Sequence, residues 1–214
     1  MSMGLGYLAA TGLFAAFLVA AVFAQIKARG FNAWLYWTAI IATTTVGTTL
    51  ADFADRSLGI GYPGGSLILL ALLLTSLFAW YRVLGTVSIS SVSSARSEFF
   101  YWSTITLSQT LGTALGDWTA DTAGLGYTGG IAIFAGLLAI TALAYRWTRI
   151  SHTLLFWAAF VLTRPLGAVL GDFLDKPLSD GGLELSRIGA SAVLVIFILA
   201  SIALIPQRAA KVQH

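Results

Sequence analysis

The sequence contains no cysteine. That absence excludes a disulfide framework, a thiolate metal site and a cysteine nucleophile. Histidine is nearly as scarce: His152 stands at a helix entrance and His214 is the last residue, so a histidine-ligated haem or zinc inside the fold is not expected. No Ser-His pair, H-E-x-x-H or other nucleophile–base constellation is visible, and the chain reads as a non-enzyme. Charge is sparse as well. Only 10% of the residues are Asp, Glu, Lys or Arg, against about 25% in a soluble domain.

What takes the place of charge is apolar. Hydrophobic residues make up 57% of the chain and the mean hydropathy is +0.85. The apolar runs recur at lengths near the ~20 residues that cross a bilayer, which makes this an integral membrane protein. The net charge of +3 then has to be read by side of the membrane; no nucleic-acid partner is expected. The opening run from Leu8 to Ile26 lacks the positive flank of a signal peptide and reads as a spanning helix.

Internal repetition organises the chain. Gly47-Thr48-Thr49-Leu50-Ala51-Asp52-Phe53 returns as Gly112-Thr113-Ala114-Leu115-Gly116-Asp117-Trp118 and again as Gly167-Ala168-Val169-Leu170-Gly171-Asp172-Phe173. A shift of 65 positions also superposes Tyr36-Trp37 on Tyr101-Trp102, and Gly59, Gly61, Tyr62, Gly64 and Gly65 on Gly124, Gly126, Tyr127, Gly129 and Gly130. A further shift of 55 brings Tyr101-Trp102 onto Phe156-Trp157. Each unit has a helix A that opens on an aromatic pair and closes on the aspartate, then a glycine turn, then a helix B with a basic end. The A helices are expected near Trp34–Phe53, Phe99–Trp118 and Thr153–Phe173, the B helices near Gly64–Tyr81, Gly129–Tyr145 and Arg187–Ile205. The opening segment matches only a turn and a helix B.

The expected fold is therefore all-α: one polytopic membrane bundle over 1–214 with seven transmembrane helices. It divides into a half-repeat (1–30), three repeats (31–97, 98–150, 151–206) and a short basic tail (207–214). Lys27, Arg29, Arg82, Arg96, Arg146, Arg149, Arg208 and Lys211 lie between repeats or in the tail, whereas the turns within repeats hold Arg56, Lys176 and Arg187. The positive-inside rule puts the former set and the C-terminus in the cytoplasm and the N-terminus outside. All carboxylates but Glu98 then fall on the outer side. The aromatic pairs sit where an interfacial belt would.

The repeated G-T-x-L-[AG]-D-[FW] and L-G-x-G-Y-x-G-G patterns resemble a family of uncharacterised bacterial membrane proteins built from tandem two-helix repeats. The resemblance implies a bacterial cytoplasmic (inner) membrane location and four repeats with eight helices, of which this chain lacks helix A of the first. It brings no substrate with it.

An ionisable residue at the edge of hydrocarbon is costly, so three aspartates in register ask for a reason. At about 100° per residue, Thr106, Thr110 and Thr113 share a helix face with Asp117, as Thr45 and Thr48 do with Asp52. Such threonines either bond their own i−4 carbonyls or line a wet path. The small pairs Gly47/Ala51, Gly112/Gly116 and Gly167/Gly171 read as close-packing devices between A helices. Arg164, followed by Pro165, stands where Thr44 and Gln109 stand in the other repeats, about 12 Å deeper than Asp172. At that depth it needs a partner, either a carboxylate in a structural ion pair or an anionic substrate. Asp55, Asp121 and Asp175 form a second acidic tier, and Tyr62 and Tyr127 serve as interface anchors or as hydroxyl donors to the carboxylates.

These residues point to a small transporter or channel for a cation, a proton or a divalent metal. Its site is Asp52, Asp117 and Asp172 near the outer face, balanced by Arg164 and lined by Thr48, Thr110, Thr113 and Gln109. The three aspartates are the candidate metal ligands, since all-oxygen sites suit hard divalent cations; no other cofactor is expected. The competing reading is a non-transporting membrane module (a sensor, assembly factor or complex subunit) whose buried polar groups fix helix register. The lipid bilayer is the expected partner, and a homo-oligomer stays open.

Overall fold

A computed structural model of the chain describes residues 7–28, 32–54 and 59–204, with the side chains of residues 7, 8, 121 and 187 outside the description. Among the described residues there are seven α-helices and no strand: α1 (Tyr7–Lys27), α2 (Ala33–Asp52), α3 (Gly61–Leu84), α4 (Ala95–Asp117), α5 (Gly126–Trp147), α6 (His152–Asp175) and α7 (Arg187–Leu204). Helix A of each repeat is thus α2, α4 or α6, and helix B is α3, α5 or α7. By length and composition α1, α3, α5 and α6 are long and apolar enough to cross a membrane; the apolar part of α7 is shorter.

The helix ends follow from local chemistry. Asn32 caps α2, its Oδ1 accepting from the Leu35 N–H at 3.1 Å. α4 begins at Ala95, four residues before the expected Phe99, because two serines form a reciprocal cap. Ser97 Oγ accepts from the N–H groups of Ser93 (3.0 Å) and Ser94 (2.9 Å), while the Ser97 N–H donates to Ser94 Oγ. Gly59 precedes α3 and Gly61 opens it, with φ of 68° and 73°, just as Gly124 precedes α5 and Gly126 opens it, with φ of 68° and 64°. The duplicated glycine turn thus recurs as a duplicated left-handed backbone, which a side chain would strain. After α6 that motif is missing. Instead the chain folds back on the helix end, with the Leu183, Glu184 and Leu185 N–H groups donating to the carbonyls of Phe173, Lys176 and Leu174.

The chain packs as two compact units, the first ending at Ala114 and the second beginning at Leu115, so the division falls inside α4 rather than between repeats. In the first unit α1 packs on α2. α3 is joined to α4 by a 2.8 Å hydrogen bond between Ser76 Oγ and Thr104 Oγ1, and by Trp80 stacked on Phe100 and edge-on to Tyr101. α2 meets α4 where Gly47 lies against the Gln109–Thr110 backbone; a methyl group there would stand 2.9 Å from Thr110 N. In the second unit α5 packs on α6 around a core of Ala120, Tyr127, Phe134 and Val169. α4 meets α6 where Gly116 backs onto Ala168 and Pro165.

α2 and α4 are absent from the strongly apolar set, and their buried residues explain why. Thr43, Thr49, Thr104, Ser108, Gln109, Thr110 and Thr113 are all buried. A helix wrapped by other helices does not need an apolar face in every direction.

Three expectations need correction. Tyr101, Trp102 and Trp157 are buried, so these aromatic residues are core rather than an interfacial belt. Tyr36 and Tyr101, which are repeat-equivalent, bond hydroxyl to hydroxyl at 2.8 Å. Tyr127 is buried in the second core and is not an interface anchor. Among the described residues no atom lies within 4 Å of where a side chain would begin at Gly167 or Gly171, so neither is a close-packing contact there. The close packing of α6 uses the adjacent face, Pro165 and Ala168.

Candidate functional site

Asp117 is the last residue of α4, where the helix widens into a π-turn over Trp118–Thr122 closed by the Ala123 N–H donating to Trp118 O at 2.8 Å. Such a change of pitch disturbs the carbonyl ladder. Thr119 Oγ1 compensates, donating toward Leu115 O and Gly116 O, each at 2.9 Å. Immediately before Asp117 is Gly116, whose missing side chain lets α4 approach the Pro165 carbonyl and Ala168 of α6. The residue before Pro165 is Arg164. The glycine contact therefore brings an aspartate and an arginine from two helices to one crossing, and the Asp117 charge acts on the Arg164 guanidinium. α6 runs unbroken through Pro165; proline has no N–H to offer the preceding turn, so a carbonyl there loses its usual donor.

The threonines behave as membrane threonines commonly do. Thr45 donates to Ile41 O, Thr48 to Thr44 O, Thr106 to Trp102 O, Thr110 to Thr106 O and Thr113 to Gln109 O, all at 2.8–3.3 Å. Thr110 and Thr113 are buried, and so is Gln109, whose backbone forms the surface against Gly47. This stripe is packed and its protons are committed to backbone.

Three tandem matches to one family cover 35–86, 100–151 and 155–206, the family being described as a Repeat of Unknown Function (DUF347). The chain belongs to the DUF347 repeat family. Each match holds one A and one B helix: α2 with α3, α4 with α5, α6 with α7. No curated protein and no solved structure matches the chain.

Within the DUF347 repeats the candidate residues take different stations. Asp52 ends α2 in the first unit; Asp117 and Asp172 belong to the second, and all three are partly buried. Asp175 ends α6 and Tyr62 is the second residue of α3, both partly buried. Asp55 and the side chain of Asp121 lie outside the described residues. Within either unit, the described residues include no group of three or more His, Asp or Glu able to hold a metal ion.

Sequence reasoning missed the aromatic network of Tyr36, Trp80, Tyr101 and Trp102, and the buried Glu98 at the start of α4. The signal for the first was present, since Tyr36 and Tyr101 occupy the same repeat position. Tyrosine at a helix entrance reads equally as an interface residue.

Proposed function

We propose that this DUF347 chain is a small transporter or channel for a cation, with Asp117 and Arg164 as its working pair and Asp52 and Asp172 as the matching carboxylates of the other repeats. The observation that supports this reading is that the Gly116–Pro165 contact brings Asp117 of α4 beside Arg164, which α6 carries within a run apolar enough to span a membrane. Intramembrane ionisable pairs of this kind recur along ion and proton pathways. A cation reaching Asp117 competes with Arg164 for the same charge, and Pro165 gives α6 a place to bend as the pair opens. A proton is the cation that one carboxylate opposed by one guanidinium serves most directly. A divalent metal would need further oxygen ligands.

The seven helices then span a bacterial inner membrane with the basic ends of α1, α3 and α5 in the cytoplasm and the aspartates toward the outer face. The charge asymmetry of the loops supports that orientation.

The second reading, a non-transporting module, is favoured by one observation: the threonine protons are bonded to their own helices. Proteoliposome flux separates the two. Asp117→Asn removes the charge with little change of shape, and on the transport reading it lowers proton or cation flux while the purified protein stays folded. Wild-type and Asp117→Asn liposomes that both leak no faster than empty liposomes would instead support the module.

A further inference from the structure

The peptide bond between Gly116 and Asp117 joins the glycine that lets α4 approach α6 to the carboxylate that this approach brings beside Arg164. A peptide is planar, so the tilt of this one sets the direction in which the Asp117 side chain leaves the helix. Its oxygen is the Gly116 carbonyl. Thr119 Oγ1 donates to that carbonyl at 2.9 Å and lies equally close to the Leu115 carbonyl, at 2.9 Å. Two residues apart on a helix means about 200° around its axis. Thr119 therefore stands on the side of α4 away from Asp117 and reaches it through the backbone.

Thr119 is itself enclosed by α5 and by the turn that leads into it. A side chain at Gly130 would begin 3.5 Å from Thr119 Oγ1, so the glycine leaves the hydroxyl its place. The Thr119 carbonyl accepts from the Leu125 N–H at 3.4 Å, beside the Ala123–Trp118 bond that closes the π-turn. A threonine bonded to its own helix is ordinary; this one differs in its station. At a junction of α and π pitch the carbonyl ladder is interrupted, and a further donor there fixes which pitch the backbone takes. The other two motif aspartates have no such donor, because Ala54 follows Asp52 by two and Leu174 follows Asp172 by two. Phe53 and Ala54 enter a π-turn without a hydroxyl at that place, whereas α6 continues as α-helix from Asp172 to Asp175. The hydroxyl thus occurs in the one repeat whose aspartate lies at the crossing with Arg164.

We propose that Thr119 is a positioning residue for Asp117: by holding the Gly116 carbonyl it fixes the π-turn and aims the carboxylate at the α4–α6 crossing. This rests on Asp117 as the working carboxylate of the transport reading. Thr119 keeps the acid in one orientation while a cation comes and goes, and takes no part in binding the cation.

Infrared spectra of the full chain in nanodiscs, with isotope-labelled aspartate, read that orientation without transport. Asp117→Asn identifies the Asp117 carboxyl band by removing it. Thr119→Val keeps the shape but removes the hydroxyl, and should shift the band. Thr119→Ala removes the hydroxyl without a methyl in its place and should shift it the same way. Thr119→Ser should return it to the wild-type position. Thr141→Val, which breaks a bond of the same kind to Leu137 O on α5, should leave it in place. In proteoliposomes Thr119→Val should lower flux about tenfold or more, the scale of loss from misplacing a working group, with Thr119→Ser recovering it. A band unmoved in Thr119→Val or Thr119→Ala overturns the proposal, and so does an equal shift in Thr141→Val or no recovery in Thr119→Ser. A shifted band with wild-type flux overturns it as well. Wild-type liposomes that carry no flux would sink the transport reading alone, and the band would still decide whether Thr119 aims Asp117.

Discussion

Two glycines in equivalent repeat positions should respond to the same substitution with opposite sign. A methyl group at Gly47 would stand 2.9 Å from Thr110 N and 3.0 Å from the Gln109 carbonyl carbon, both backbone atoms of α4. Neither atom can swing aside as a side chain would, so α2 and α4 must separate along the whole contact. Overpacking of this kind costs about 1–3 kcal/mol. Alanine returns about 1 kcal/mol through its better helix propensity, leaving Gly47→Ala destabilised by roughly 1 kcal/mol. Gly167→Ala meets nothing within 4 Å, keeps only the propensity gain and is stabilised by about 0.5–1 kcal/mol. The two variants therefore differ by about 2 kcal/mol. The assay is thermal unfolding of the purified protein in one detergent, followed by the loss of soluble monomer, with wild type between the two variants. If Gly47→Ala melts at or above Gly167→Ala, the close approach of α2 and α4 is wrong.

Other outcomes follow from the same contacts. Arg164→Leu leaves Asp117 at the α4–α6 crossing without its guanidinium, and loss of one partner of a buried pair costs roughly 3–5 kcal/mol; a sharp fall in melting temperature or yield is expected, and an unchanged one would place Arg164 in no pair. Tyr36→Phe and Tyr101→Phe should each cost about 1 kcal/mol, with the double variant little worse than either, because both remove the same 2.8 Å bond; additive losses would refute it. Gly124→Ala has open space around it but a φ of 68°, so it should lose about 1–2 kcal/mol from backbone strain alone, with Gly124→Asn losing less. Cysteines introduced at Ser93 and Ser179 should label from opposite faces of the membrane, and labelling of both from one side would reject the orientation proposed above.

The two-helix repeat was legible because duplication writes the same punctuation more than once. Gly59 and Gly61 are turn residues by composition, and the recurrence at Gly124 and Gly126 makes them a motif; the structure gives all four the same left-handed backbone. What periodicity leaves open is the neighbour. The spacing of Thr106, Thr110 and Thr113 defines a face, but the same face can border water or another helix, and hydroxyls bonded to their own carbonyls suit either. Gly47 and Gly167 are identical in motif and differ only in what stands beside them. The segment after Asp175 resisted reading for a different reason. Its order comes from Leu183, Glu184 and Leu185 returning to the carbonyls at the end of α6, a nonlocal closure with no spacing rule behind it.

Hydropathy and burial also run in opposite directions here, and that bears on where chemistry can reside. The helices richest in buried hydroxyl and amide groups, α2 and α4, are not among those that composition marks as spans. Surrounding helices rather than lipid set what those positions tolerate. One register position then traces the change along the chain: Thr44, Gln109 and Arg164 are a hydroxyl, an amide and a guanidinium in successive A helices, while the position after each passes from Thr45 and Thr110 to Pro165. Only the last member is a permanent charge, and it appears where Pro165 and Ala168 stand in place of the stripe threonines Thr110 and Thr113 and where Gly116 admits the helix closely enough for Asp117 to act on it. The aspartate recurs in every repeat, but the countercharge occurs in one. A duplicated structural motif would need no such asymmetry, so the function of the bundle is to be sought at the α4–α6 crossing before the other aspartates.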